Sequence, residues 1–233
     1  MIDKLANKDM IVSVNNKKLL FTEMKYIDFK NRIRDLPVFS SQQLSAFGEN
    51  TQVLRNQLTD WCRRGLVIKL RRGLYILNDA DRRWTPSRLF LANQLYQPSY
   101  ISTEYALHYY DLIPERVVDL TSVTPRKSAA FENHFGRFIY QHVKIKAFSG
   151  YRMIKDENNF NILVAEPEKA LVDFLYLNLS RFKDSAQVIE SLRLQNTDKL
   201  RISKLDKYSR VFACRKLQCI ITQLLSSSKT GKR

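Results

Sequence analysis

Glycine and histidine are scarce in this chain of 233 residues, with 6 Gly and 3 His. So few glycines exclude a Gly-rich phosphate cradle, and with it the common nucleotide-binding loops. His108, His134 and His142 do not share the short helical spacing of a zinc motif. Cys62, Cys214 and Cys219 form an odd set without CxxC spacing. That excludes a disulfide framework and a structural zinc site, and free buried thiols are expected instead. Serine and cysteine lack any nucleophile elbow or neighbouring His. No apolar run approaches the roughly 18–20 residues of a membrane span. The start, with Asp3, Lys4, Lys8 and Asp9, has no signal-peptide core, so a cytoplasmic chain without a membrane partner is expected. No internal repeat is present.

Acidic residues are also in short supply, 23 against 39 Lys and Arg, for a net charge of +16. Residues 1–83 carry 16 basic and 9 acidic side chains, residues 84–198 carry 13 and 13, and residues 199–233 carry 10 and 1. A neutral middle between two basic ends argues for discrete electrostatic contact zones rather than a uniformly adhesive surface. The length and the 44% hydrophobic content allow two domains, each with its own core.

The segment from Val38 to Leu77 is the most informative. Ser40 and Gln43 have capping-box spacing, and Phe39 and Leu44 are placed for a hydrophobic staple, which predicts a short helix to about Phe47. Gly48 ends it, and Asn50 or Thr51 caps a second helix after a short turn. In that second helix Leu54, Leu58 and Trp61, with Cys62 beside them, form the buried stripe. Gln52, Arg55, Asn56, Thr59 and Arg63 fall largely outside it. These residue types suit base edges and phosphates, Arg pairing with guanine and Asn or Gln with adenine. Residues 65–77 read as two apolar strands around a basic turn, a β-hairpin with Arg71 and Arg72 at its tip, where phosphates or the minor groove are met. Upstream, Tyr26, Phe29, Ile33 and Leu36 mark a first helix that Thr22 can cap. Helix, helix, helix and hairpin is the order of a winged helix-turn-helix, so duplex DNA is the expected partner. One such module reads too few base pairs to be selective, so the expected operator contains repeats.

The expected organisation is α+β in three parts: a basic N-terminal arm over residues 1–21, the winged helix-turn-helix over 22–83, and a mixed antiparallel-sheet and helix domain over 84–233 that ends in a basic helix and tail. Thr85-Pro86 is the predicted start of a helix through Leu89, Phe90 and Leu95. Ser102 or Thr103 opens another, with Tyr105, Leu107, His108 and Tyr109. Strands are predicted at 117–124, 137–143, 151–154 and 161–164, the last two as a hairpin. Pro167 begins a helix whose Ala170, Leu171, Phe174 and Leu175 face inward. Helices are expected over 188–194 and 204–225, the latter burying Val211, Phe212, Leu217, Ile220, Ile221 and Leu224, and the tail from Ser226 is expected to be disordered.

Three stretches of this second part resemble the AbiEi family of antitoxins. They are Tyr100-Ile101-Ser102-Thr103-Glu104-Tyr105-Ala106-Leu107-His108 followed by Leu112-Ile113-Pro114-Glu115; Thr121-Ser122-Val123-Thr124-Pro125-Arg126-Lys127; and Glu166-Pro167-Glu168-Lys169-Ala170-Leu171-Val172-Asp173. With the winged helix, the resemblance covers roughly residues 24–182. It implies an antitoxin and autorepressor that silences its own two-gene operon and counteracts an AbiEii-like nucleotidyltransferase toxin, in a system of abortive infection against phage.

Glu166, Glu168 and Asp173 invite a metal-dependent nuclease reading. Glu in the first turn of a helix is better explained by the macrodipole, with Pro167 marking that turn. No catalytic residue, metal or cofactor is therefore expected. The basic end from Lys199 to Lys216 is a further candidate for a DNA-facing or toxin-facing surface.

Overall fold

The computed structural model describes residues 24–44 and 51–230. The chain divides into two compact units, residues 1–83 and 84–233. The expected arm, the Thr22 cap, the helix end at Phe47 and the Gly48 and Asn50 turn signals lie outside the described residues.

The first unit begins with helix α1 (Tyr26–Ile33), whose Phe29 and Ile33 are fully buried. Its apolar stripe ends earlier than the period predicts. Leu36 is 39% exposed, because the helix stops at Ile33 and Pro37 disfavours helical backbone at the residue before it. A two-residue strand β1 (Phe39–Ser40) leads into helix α2 (Ser41–Leu44). The capping box forms as its spacing predicts: the Ser40 N–H donates to Gln43 Oε1 at 2.7 Å, and the Gln43 N–H donates to Ser40 Oγ at 3.2 Å. Helix α3 (Thr51–Arg63) buries Leu54, Leu58 and Trp61. The Trp61 ring packs 4.4 Å from Phe29 and 5.5 Å from Tyr26, and Phe29 meets Phe39 at 5.6 Å. Burying each of these side chains contributes about 1.5–3 kcal/mol.

Strands β2 (Val67–Arg71) and β3 (Leu74–Leu77) form an antiparallel hairpin, and β1 adds to the outer side of β3 in the order β1-β3-β2. A register shift between Lys69 and Arg71 lets Arg72 and Gly73 close the turn, Gly73 taking a φ of 79° that a side chain would strain. The Ser41 N–H donates to the Gly73 carbonyl at 3.1 Å, which ties the start of α2 to the hairpin turn. After β3 the chain is latched back onto α1. Asp81 accepts from Tyr26 Oη and from Lys30 Nζ, each at 2.7 Å.

The second unit is built on a six-stranded sheet whose strands lie, from edge to edge, at Ala129–Asn133, Gly136–His142, Leu120–Thr124, Tyr100–Ile101, Asn161–Ala165 and Tyr151–Lys155. It opens with helix α4 (Arg88–Leu95), capped by Ser87 rather than Thr85. Ser87 Oγ accepts from the Phe90 N–H at 3.1 Å and donates to Asp156 at 2.8 Å, whereas the Thr85 carbonyl is taken by Asn158. Strand β4 (Tyr100–Ile101) is central and fully buried, and helix α5 (Thr103–Tyr109) follows it. Next come β5 (Leu120–Thr124), β6 (Ala129–Asn133), β7 (Gly136–His142), β8 (Tyr151–Lys155) and β9 (Asn161–Ala165).

The sheet is mixed, with antiparallel pairings in the majority as expected and two parallel ones added. Strands β5 and β7 run parallel, as do β4 and β9, while the other three pairings are antiparallel. Tyr140, Ser122 and Ile101 are lateral neighbours, and the Tyr140 hydroxyl donates to Ala92 of α4. Tyr100, one residue from Ile101, points the other way and reaches Asp173 of helix α6 (Pro167–Leu177). Because side chains alternate along a strand, α4 and α6 cover opposite faces.

Helices α7 (Ser185–Leu192), α8 (Ile202–Val211) and α9 (Arg215–Thr230) complete the unit, α8 packing on α6 and α9 on α8. The segment expected to be a disordered tail from Ser226 is helical to Thr230. Val211, expected in the core, is 38% exposed. Helix α8 ends there and Ala213 at φ 49° turns the chain, so Val211 does not continue the stripe of Leu217, Ile220 and Ile221.

Candidate nucleic-acid interface

Helix α3 is amphipathic: the period that buries Leu54, Leu58 and Trp61 turns Gln52, Arg55, Asn56, Thr59 and Arg63 to solvent, and all five are exposed. They form one stripe ~16 Å long at 1.5 Å per residue. Gln52 Nε2 donates to Asn56 Oδ1 at 3.2 Å, so these two amides are held as a pair. The Thr59 hydroxyl donates to the Arg55 carbonyl one turn back at 2.9 Å, which leaves its oxygen as an acceptor for an incoming group. Arg55 pairs with no carboxylate among the described residues.

The two hairpin arginines form a second group. Arg71 is the last residue of β2, half-buried, and its Nη1 donates to the Arg72 carbonyl at 2.9 Å. Arg72 lies in the turn with its side chain exposed. Arg71 thus braces the turn that presents Arg72.

One functional candidate escaped the sequence reading. Asp60 borders the stripe, and its Oδ1 accepts from Arg63 Nη2 at 2.6 Å while its Oδ2 lies 3.5 Å from Arg64 Nη1. The Arg63 hydrogen bond holds the Asp60 carboxyl below its ordinary value. The i, i+3 and i, i+4 spacing of Asp60 with Arg63 and Arg64 was the available signal. Behind this edge a cleft of about 610 Å³ opens between the start of α1 and α3, with Tyr26, Trp61, Asn56, Gln57 and Asp60 among its walls. Cys62, half-buried, has its thiol pushed up by burial, which disfavours a nucleophilic thiolate.

In the second unit the three carboxylates that invited a metal reading point to different partners. Glu166 accepts from Lys204 Nζ at 2.6 Å and from Tyr208 Oη at 2.7 Å. Burial raises its carboxyl, but these two hydrogen bonds with the neighbouring cations outweigh that and leave it lowered. Glu168 accepts from the Arg201 N–H at 2.9 Å and so caps the start of α8. Asp173 is fully buried, ion-paired with Lys169, and accepts from Tyr100 Oη at 2.9 Å and Ser102 Oγ at 2.8 Å. The macrodipole explanation for Glu166 and Glu168 is therefore incomplete, since both bind helix α8. Among the described residues no three His, Cys, Asp or Glu side chains gather as a metal site. His142 donates through Nδ1 to the Arg126 carbonyl, 2.8 Å away, and His108 is half-buried, next in sequence to the Tyr109–Tyr110 ring pair.

The three segments that carry the antitoxin resemblance meet in space. Tyr100 and Ser102 from the first bind Asp173 from the third. Thr121 from the second donates to the Ser102 carbonyl at 2.8 Å and accepts from the Tyr105 N–H at 3.0 Å. The Lys169 ammonium also sits 4.6 Å from the centre of the Phe212 ring. No helix among the described residues is long and apolar enough to cross a membrane. Compared with known proteins, the sequence matches no family model and no curated protein.

Proposed function

We propose that this protein binds duplex DNA through its first unit, α3 entering the major groove as the recognition helix of a winged helix-turn-helix and the β2–β3 hairpin serving as the wing. The observation that carries this reading is the exposed stripe from Gln52 to Arg63 on a helix whose other face is buried. Five side chains able to bond base edges or phosphates share that face, and the adjacent hairpin ends in two arginines. On this reading Arg55 and Asn56 contact bases, and Arg71 and Arg72 hold backbone or minor groove.

The cellular role proposed is that of an antitoxin and autorepressor, bound to repeats in its own operator and counteracting an AbiEii-like nucleotidyltransferase toxin. What supports it is the resemblance of three separated segments and their convergence on Asp173 and Ser102. Each carboxylate of the third segment is engaged by the protein itself, which favours a structural role for that segment.

Duplexes enriched from a random library by the full-length protein provide the test. Arg55→Ala should cost roughly 1–3 kcal/mol on the enriched sequence and relax preference locally, whereas Arg72→Ala should weaken all duplexes and reduce the salt slope by about one unit. Equal binding by the wild type and an Arg55→Ala/Asn56→Ala double variant overturns the reading. Expressed from a foreign promoter beside a neighbouring nucleotidyltransferase gene, that double variant should still restore growth. Rescue that needs intact Arg55 and Asn56 would mean protection by repression alone.

A further inference from the structure

Asp60 is an acidic exception on a face proposed to meet a polyanion. On the helical wheel it lies between Asn56 and Arg64, at the border of the stripe, with its side chain 39% exposed. Arg63, one turn on, is 81% exposed and would otherwise sample many rotamers. The 2.6 Å bond from its Nη2 to Asp60 Oδ1 fixes one end of the guanidinium and leaves its other N–H groups open to solvent. An arginine reads guanine with two parallel N–H groups in a planar fork, so its orientation decides whether it discriminates or merely attracts.

We propose that Asp60 is a positioning residue, whose carboxylate orients the Arg63 guanidinium against a base edge and thereby sets sequence preference at one base pair. The inference rests on the duplex-DNA reading above. Asp60 acts in two ways of opposite sign. Its charge repels every phosphate backbone alike, which lowers affinity without regard to sequence. Through Arg63 it improves binding to one sequence only. An arginine without this restraint would retain its charge and settle on the nearest phosphate.

These effects separate in a double-mutant cycle on the full-length protein. The probes are a duplex enriched from a random library by the wild type, its single base-pair substitutions, and an unrelated duplex of equal length, each at two salt concentrations. Asp60→Asn should bind the unrelated duplex more tightly yet lose preference on the order of tenfold at one base pair, the same one affected by Arg63→Ala. In the Arg63→Ala background Asp60→Asn should cause no further loss of preference. Arg64→Ala, whose contact is the longer one at 3.5 Å, should leave preference intact.

Asp60→Asn tightening all duplexes equally, with every preference unchanged, would show simple repulsion and overturn the inference. A loss of preference that persists undiminished without Arg63 would show Asp60 reading a base itself, and overturns it too. Both results leave the DNA reading standing. A wild type that enriches no sequence overturns that reading, and this inference with it.

Discussion

Replacing Lys169 with Met leaves the Asp173 carboxylate buried with two neutral donors, Tyr100 Oη and Ser102 Oγ, and no counter-charge. Breaking such a pair from one side costs about 3–5 kcal/mol, because the remaining charge has lost its compensation but not its desolvation. Protonation sets a ceiling on the cost. A carboxyl with an unfolded pKa of about 3.9 needs roughly 4 kcal/mol to be neutral at pH 7, at 1.36 kcal/mol per unit. Burial already raises the Asp173 carboxyl in the wild type against the opposing pull of Lys169, and without Lys169 it rises further, so the variant's folded state holds a proton that the unfolded state releases. Stability then falls as pH rises between the two values, and the deficit should shrink from pH 7 down towards pH 5, by at most about 1.4 kcal/mol for each unit because the wild-type carboxyl is itself raised. Lys169→Met/Asp173→Asn removes both charges and keeps an acceptor for Tyr100 or Ser102, so it should lose less than the single variant. Each unit holds one tryptophan, Trp61 and Trp84. Urea unfolding followed by Trp84 fluorescence in a Trp61→Phe background therefore reports on the second unit. A deficit below about 1 kcal/mol at pH 7, the range of exposed pairs, or one independent of pH, refutes the reasoning.

Gly150 lies against the same network: a Cβ there would sit 2.8 Å from Tyr208 Cε1 and 3.1 Å from Lys169 Cδ, at a φ of 78°. Gly150→Ala should cost about 1–3 kcal/mol by overpacking, measured as a lower urea midpoint, with a smaller loss in a Tyr208→Ala background. Asp81 is held below its ordinary value by the Lys30 hydrogen bond, which with that from Tyr26 outweighs its desolvation. The stability it contributes is present above the unfolded carboxyl pKa and lost as pH falls through the folded one. Thermal unfolding of the first unit should accordingly be less acid-sensitive below about pH 4 in Asp81→Asn than in the wild type. Identical slopes would remove Asp81 from the account.

Long periodic elements and side chains with local partners were readable in advance. The Ser40–Gln43 box, the Leu54–Leu58–Trp61 stripe, the 151–165 hairpin and the Pro167 helix all depend on spacings within a few residues. What escaped depends on distant partners. Strand β4 has two residues and so no period, yet it is central because β5 and β9 flank it. Strand β6, Ala-Ala-Phe-Glu-Asn, has weak strand propensity and exists by pairing with β7. The Ser87 cap depends on Asp156, 69 residues away. Of the candidate interface, the exposed residues of α3 and the hairpin arginines were legible from period and turn chemistry. Asp60 was not, because its i, i+3 and i, i+4 spacing to Arg63 and Arg64 reads equally well as an ordinary ion pair on a helix surface.

Charge counted along the chain overstates the field that the second unit presents. After residue 198 the sequence carries 10 basic residues against one acid, which reads as a strong cationic surface. Part of that charge is offset locally: Lys204 is paired with half-buried Glu166 and Arg210 with Asp206 on the surface, while Lys216 is tied to the Leu179 carbonyl at 2.8 Å without losing its charge. The Glu166 contact also draws Tyr208 onto α6, and Glu168 caps α8 through the Arg201 N–H. The acids of the neutral middle and the bases of the C-terminal end are thus one structural device, which docks α8 on α6 with Phe212 over the Lys169 ammonium. A counterion-release measurement on this protein should be governed by Arg55, Arg63, Arg71 and Arg72 more than the overall charge of +16 implies. A surface suited to nucleic acid is set by which cations are exposed together, not by how many the chain contains.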